Sequence, residues 1–143
     1  MPLDTAWSSA HAGSTEAAVL VGHQETAEAV RQRLVPFHDK IASFSVGAFP
    51  AIAHYLGMID HLLGRHDDAN HWFGEAMALH QRFESPLLVA QTNAAWAGLL
   101  ADRGTGNDHE RARAMATDAL TAATSGGYGY IERDARSVLE RIT

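Results

Sequence analysis

Apolar residues in the middle of the chain recur at the spacing of an amphipathic helix. Between residues 51 and 63 they fall at positions i, i+3, i+4, i+7, i+10 and i+11, which places them on one wide face. These residues are Ile52, Tyr55, Leu56, Ile59, Leu62 and Leu63. Gly64 comes next, and glycine readily takes the left-handed conformation that ends a helix. The pattern therefore predicts a helix over 51–63 that stops at Gly64.

Two further helices are predicted after this glycine. Asp67 or Asp68 is expected to cap the first, because a short carboxylate accepts hydrogen bonds from the free N–H groups of a helix start. Its apolar stripe is Ala69, Trp72, Phe73, Ala76, Leu79 and Phe83. Ser85 and Pro86 are typical of a cap and a first helical position. They open a helix that Gly104 closes.

The last third of the chain predicts two more helices. Asn107 with Glu110 resembles a capping box at the start of the first, and Gly126 with Gly127 ends it. Its stripe is unusually small and consists of Ala112, Met115, Ala116, Ala119, Leu120 and Ala123. Apolar residues at helical spacing then mark a terminal helix over 128–142.

The first fifty residues have a weaker pattern. Residues 24–35 are predicted to form a helix that ends before Pro36, with residues 4–21 as its partner helix. Residues 37–50 show no helical period and are predicted to be a connecting loop. No alternation typical of a β-strand persists anywhere. The predicted fold class is therefore all-α.

Glycine and alanine also recur over a longer distance. Gly22, Gly64 and Gly104 stand at the ends of apolar segments and are separated by 42 and 40 residues. Each is followed by the pattern A-x3-Z-x2-Z, in which Z is mostly apolar. Small residues at such positions let two helices approach closely. The recurrence predicts repeated helix pairs.

The register of one segment resembles the tetratricopeptide repeat (TPR). The matching positions are Leu56, Gly57, Gly64, Ala69, Phe73 and Ala76. The period is longer than the TPR value of about 34 residues. The resemblance implies TPR-like antiparallel helix pairs stacked as a short right-handed α-solenoid with a C-terminal capping helix. A single domain over 1–143 is expected, with repeats over about 4–36, 50–84 and 86–124 and a terminal helix over 128–142.

A narrower resemblance covers residues 15–140. The runs His54-Tyr55-Leu56-Gly57, Gly64-Arg65 and Arg103-Gly104 look like the C-terminal helical-repeat region of large bacterial regulators. These are LuxR-type ATP-dependent transcriptional regulators and ATPase-linked adenylate or guanylate cyclases. In such regulators the region serves as a sensing arm for a ligand or a protein.

The catalytic parts of those regulators have no counterpart in the sequence. There is no phosphate-binding G-x-x-x-x-G-K-[ST] segment, since the single lysine, Lys40, follows Asp39. There is also no basic helix-turn-helix and no cyclase segment. ATPase, cyclase and DNA-binding activities are therefore not expected, nor are catalytic residues or a cofactor. The expected function is a non-catalytic interaction module.

Composition narrows the location and the partners. The 143 residues are 46% apolar and 20% charged, with a net charge of −6, which disfavours nucleic acid as a direct partner. No cysteine is present, so thiolate chemistry is excluded. No apolar run is long enough for a membrane span, and the N-terminus does not resemble a signal peptide. A cytoplasmic location is expected by default.

The resemblance also implies a binding groove. In the TPR register, the residues that line the concave face are His54, Met58 and His61, followed in the next repeat by Gln91, Ala94 and Gly98. A groove of this composition suits a protein or peptide partner, or a small polar-aromatic ligand. The alternative is that these are ordinary surface residues.

Nine histidines leave other functions open. His66, Asp67 and His71 form a conceivable metal site at a helix start, although their spacing does not place them on one face, and a solvated turn is the simpler interpretation. Trp72, Phe73 and Trp96 are expected in the core. The alternative functions are a histidine-rich metal protein or small enzyme, and a self-association scaffold that forms a homo-oligomer.

Overall fold

The computed structural model describes the backbone of residues 5–44 and 47–143, and the side chains of residue 7, residues 10–40 and residues 50–143. The described residues form seven α-helices, one 3-10 turn and two short strands. In chain order these are α1 (Thr5–Val21), α2 (Gln24–Leu34), the turn Val35–Phe37, β1 (Ile41–Phe44), β2 (Gly47–Ala51), α3 (Ile52–Leu62), α4 (His66–Arg82), α5 (Pro86–Arg103), α6 (Asp108–Gly126) and α7 (Gly129–Arg141).

The predicted helices are confirmed, and the fold is all-α apart from the two strands. Every helix predicted from the apolar period is present, and most ends lie within a few residues of the predicted ones. Ser85 caps α5 as expected, because its side chain accepts a hydrogen bond from the N–H of Leu88 at 3.3 Å. No helix within the described ranges has the length and apolar character needed to cross a membrane.

A loop was predicted over residues 37–50, and this was wrong where the chain forms β1 and β2. β1 and β2 pair antiparallel, with Ile41 opposite Ala51 and Phe44 opposite Gly47. The register shifts between Ile41 and Ser43, and such a bulge breaks the two-residue alternation by which a strand is recognised in a sequence. The backbone C=O of Lys40 accepts a hydrogen bond from Ile52 N at 2.9 Å, which ties this hairpin to the start of α3.

The chain divides into two compact units, residues 1–76 and residues 77–143, with the boundary inside α4. In the first unit, α1, α2 and α3 contact one another, and the hairpin lies against α1 and α3. The apolar core is drawn from all three helices. It includes Ala12, Ala18, Ala27, Val30, Leu34, Ile52, Tyr55, Leu56 and Ile59. The prediction of one repeat domain over 1–143 stays a prediction.

In the second unit, α5, α6 and α7 contact one another. The buried face of α6 consists almost entirely of alanine. Ala112, Ala116, Ala119 and Ala123 are all fully buried. Ala69 and Ala76 of α4 are also fully buried. The recurring alanines are therefore buried, as predicted, and do not lie at the surface.

One contact in the first unit shows why a small residue is needed. A Cβ built on Gly57 of α3 would lie 2.7 Å from ring atoms of Phe73 on α4, far inside van der Waals contact. Phe73 itself is fully buried. The two helices reach their observed separation only because residue 57 has no side chain.

We expect Gly57→Ala to lower the free energy of unfolding by about 1–3 kcal/mol, the usual cost of overpacking a core. The loss should appear in urea denaturation, although alanine is the better helix former. Gly13→Ala is the matched control, because a Cβ at Gly13 of α1 meets nothing within 4 Å. That variant should be neutral or slightly stabilising. Equal effects at both positions would contradict the packing argument.

Left-handed residues mark the ends of the helices that are joined by short turns. Gly22, Gly64, Gly104 and Gly127 have φ angles of 67°, 75°, 59° and 74°. The three recurring glycines of the sequence thus take the predicted conformation. Between α4 and α5 the same role falls to Glu84, with φ 50°, where the Cβ crowds the backbone. Among the described residues it is the one non-glycine residue with positive φ.

Replacing Glu84 by glycine should therefore raise the free energy of unfolding by about 0.5–1 kcal/mol. Relief of the left-handed strain, about 1–2 kcal/mol, exceeds the entropy that glycine adds to the unfolded chain. Urea denaturation measures the change. Glu84→Ala keeps the Cβ while removing the carboxylate, so it should give no gain. Equal stabilisation by alanine and glycine would show that charge, and not backbone strain, is responsible.

Candidate functional site

The predicted groove residues of the first unit differ in exposure. His54 is only 2% exposed, and its ring lies edge-on to Tyr55 and Phe73 at centroid distances of 5.5 and 5.8 Å. A ligand therefore has no direct access to His54. Met58 and His61, further along α3, are partly exposed. The His61 ring lies 6.1 Å from that of His66.

The burial of His54 has a clear physical reason. The first turns of α3 are buried on every side, because the helix lies among α1, α2 and β2 and also contacts Phe73. The sequence pattern showed one apolar face and left the opposite face for a ligand. A helix surrounded on all sides has no such face, whatever the polarity of its residues.

The predicted groove residues of the second unit lie on α5. Ala94 is 6% exposed and Gly98 is buried, whereas Gln91 is half-buried. Of the six predicted residues, Met58, His61 and Gln91 thus have side chains that reach solvent. A groove that they share stays a prediction.

The histidines do not converge on a metal site in the described part of the chain. No three His, Asp or Glu side chains there are arranged to hold an ion. His66 is half-buried, while Asp67 and His71 are exposed at the start of α4. The sequence-based candidate site of these three residues therefore has no converging geometry.

A buried carboxylate that the sequence did not reveal organises the first unit. Asp60 of α3 is fully buried. It accepts hydrogen bonds from Arg31 Nε at 2.6 Å, Arg31 Nη2 at 3.2 Å and Trp72 Nε1 at 2.9 Å. The bond to Asp60 raises the pKa of Arg31 above its ordinary value. Asp60 thereby joins α2, α3 and α4, and Trp72 is held at a fixed position at the edge of the core.

The second unit has a similar carboxylate at Asp108, the first residue of α6. It accepts hydrogen bonds from Arg103 Nε at 2.7 Å and Nη2 at 2.9 Å, and from the N–H and hydroxyl of Thr105 at 3.1 and 3.0 Å. These donors favour the charged form, so the pKa of Asp108 lies far below its usual range. The predicted capping box was wrong: Asn107 is the N-cap without a side-chain hydrogen bond.

His80, near the end of α4, is a buried neutral group. It has no exposed surface, and its Nδ1 lies 3.1 Å from the hydroxyl of Thr92 on α5. Burial disfavours the charged imidazolium and lowers the pKa of His80 from 6.5 to about 4. The ring therefore serves as an uncharged packing and hydrogen-bonding group at neutral pH.

Acid should destabilise the protein through His80. Between pH 6.5 and about 4, His80 is protonated in the unfolded chain but stays neutral in the folded protein. The free energy of unfolding therefore falls as the pH falls. The full loss is on the order of 3 kcal/mol and levels off below pH 4. Urea denaturation across this range should show a smaller slope for His80→Gln than for the exposed-site control His71→Gln. Identical pH slopes in the two variants would refute this role.

A second polar cluster lies at the surface of the first unit. Glu75 Oε2 lies 3.1 Å from His38 Nδ1 and 3.9 Å from His71 Nε2. Both imidazole rings also contact Trp72, at centroid distances of 5.4 Å for His38 and 5.0 Å for His71. We call these four residues the Glu75 cluster. No sequence spacing indicated it, because His38 is brought to α4 by the 3-10 turn that precedes it.

The expected core aromatics occupy two environments. Phe73 is fully buried, as predicted, whereas Trp72 and Trp96 are half-buried. Arg111 of α6 lies over the Trp96 ring, with its guanidinium carbon 5.8 Å from the centroid. Both tryptophans thus combine an apolar contact with a polar or charged neighbour.

No family model, curated protein or solved structure matches this chain. The resemblance to TPR proteins and to bacterial regulators therefore rests on the residues named above and stays a prediction.

Proposed function

We propose that the chain is a non-catalytic, TPR-like interaction module that binds a protein or peptide partner, or a small ligand. The observation that carries the proposal is the repeated joining of helices by left-handed turns, with small residues in the helix contacts. Gly57 against Phe73 and the buried alanines of α6 are the clearest cases. Stacking of the pairs α1 with α2, α3 with α4, and α5 with α6 as a right-handed α-solenoid, capped by α7, is part of this proposal.

Its biological setting follows from the narrower resemblance. The module is the sensing or regulatory arm of a bacterial transcriptional regulator or signalling ATPase and acts in the cytoplasm. The binding residues are those predicted groove residues that retain exposed surface, namely Met58 and His61 in the first unit and Gln91 in the second. Each of these two surfaces is tested separately.

A peptide-display experiment tests the proposal. The purified chain is panned against a phage-displayed random peptide library, and the enriched peptides are measured by fluorescence anisotropy. Met58→Glu, His61→Glu or Gln91→Glu should weaken binding about tenfold or more, which corresponds to about 1.4 kcal/mol. The negative charge of the new side chain interferes with contacts at these positions. Met58 also packs against the core of the first unit, so circular dichroism must show that Met58→Glu is folded.

Gln32→Glu on the exposed side of α2 is the control, since it makes the same chemical change as Gln91→Glu at a position outside the predicted groove. It should bind as the unaltered chain does. Failure to enrich any peptide, or equal affinity for all variants, would overturn the proposed function.

A further inference from the structure

The Glu75 cluster differs from the other organised carboxylates of the protein. Asp60 and Asp108 are buried and each accepts two hydrogen bonds from an arginine. The Glu75 side chain is 34% exposed. Among the residues that the structure describes, His38 donates a hydrogen bond to it, and His71 Nε2 lies 3.9 Å away. Within the described residues no arginine or lysine pairs with it. About a third of its side-chain surface is therefore accessible from solution.

Three aromatic rings belong to the same cluster as this carboxylate, namely those of His38, His71 and Trp72. Trp72 is held in place by its hydrogen bond to Asp60, so its indole cannot turn away without breaking that bond. His38 and His71 lie against the indole at 5.4 and 5.0 Å. A carboxylate close to aromatic rings suits a flat cation. The faces of the rings attract positive charge, and the carboxylate of Glu75 accepts hydrogen bonds from the cation.

We infer that the Glu75 cluster binds the guanidinium of an arginine in a basic peptide segment of the partner. A guanidinium is planar, stacks on aromatic rings and offers paired N–H donors to a carboxylate, whereas an ammonium is a strongly hydrated point charge. The protein makes both contacts internally: Arg31 is bidentate on Asp60, and Arg111 lies over Trp96. This inference rests on the proposed function for the nature of the partner.

Charge supports a basic partner over an acidic one. The chain carries a net charge of −6, so a cationic segment is attracted before contact is made. A metal ion is the less suitable occupant, because the described His, Asp and Glu side chains include no three that converge on one point.

The test uses fluorescein-labelled hexa-arginine, titrated with the full chain at low salt and followed by fluorescence anisotropy. Glu75→Gln keeps an oxygen that accepts from His38 but removes the charge, and it should weaken binding about tenfold. Glu16→Gln, on the exposed side of α1, is the matched control, with the same change in net charge in the same unit, and it should bind within twofold of the unaltered chain. Hexa-lysine should bind more weakly than hexa-arginine.

A second measurement locates the peptide. The indole N–H signal of Trp72, assigned in the amide NMR spectrum with Trp72→Phe, should shift on addition of hexa-arginine in the unaltered chain and not in Glu75→Gln. Circular dichroism establishes that each variant is folded.

The inference is overturned if the unaltered chain does not bind hexa-arginine, if Glu16→Gln weakens binding as much as Glu75→Gln, or if the Trp72 signal does not move. Its failure is separable from failure of the proposed function. Library peptides that respond to Met58→Glu or His61→Glu would sustain an interaction module even where Glu75→Gln leaves hexa-arginine binding unchanged.

Discussion

The close approach of α3 and α4 at Gly57 is the constraint on which the first unit depends. Phe73 fills the space that a side chain at residue 57 would occupy. Its neighbour Trp72 is thereby placed within hydrogen-bonding distance of Asp60, and Glu75, two residues further along α4, lies beside His38. A displacement of the helix at this one contact would separate both pairs. Core packing and the surface cluster are thus consequences of the same missing side chain.

The two units use one solution to a common problem. Each contains an aspartate that is almost fully removed from water. Asp60 accepts hydrogen bonds from a bidentate arginine and one further donor, and Asp108 from a bidentate arginine and two further donors. A charge in such a position is tolerated only when its hydrogen-bonding capacity is filled. These arginine–aspartate pairs therefore determine which helices or turns lie next to one another. The alanine-rich helix contacts contribute the burial of apolar surface.

Much of the helical fold could be predicted from the sequence because its signals are local. Gly64 and Gly104 marked helix ends through their backbone freedom, and Ser85 with Pro86 marked a start. The hairpin was not predicted because a bulge interrupts the alternation of side chains along its short strands. His54 was predicted to lie at a surface. The spacing of apolar residues shows which residues share one face of a helix, but it does not show how many other elements pack around that helix. Asp60 and Glu75 gave no signal, since their partners Arg31 and His38 are distant in sequence.

The arrangement around Asp108 has a consequence for how the chain withstands cleavage. Residues 104–107 are exposed and include two glycines, which in most proteins would make this connection an easy substrate for a protease. Here the carboxylate of Asp108 accepts hydrogen bonds from both the backbone N–H and the hydroxyl of Thr105. Arg103 donates a further hydrogen bond to the same carboxylate. A protease needs several consecutive residues to extend into its cleft. Extending the turn would break the arginine–aspartate pair, so we expect this connection to resist cleavage despite its exposure.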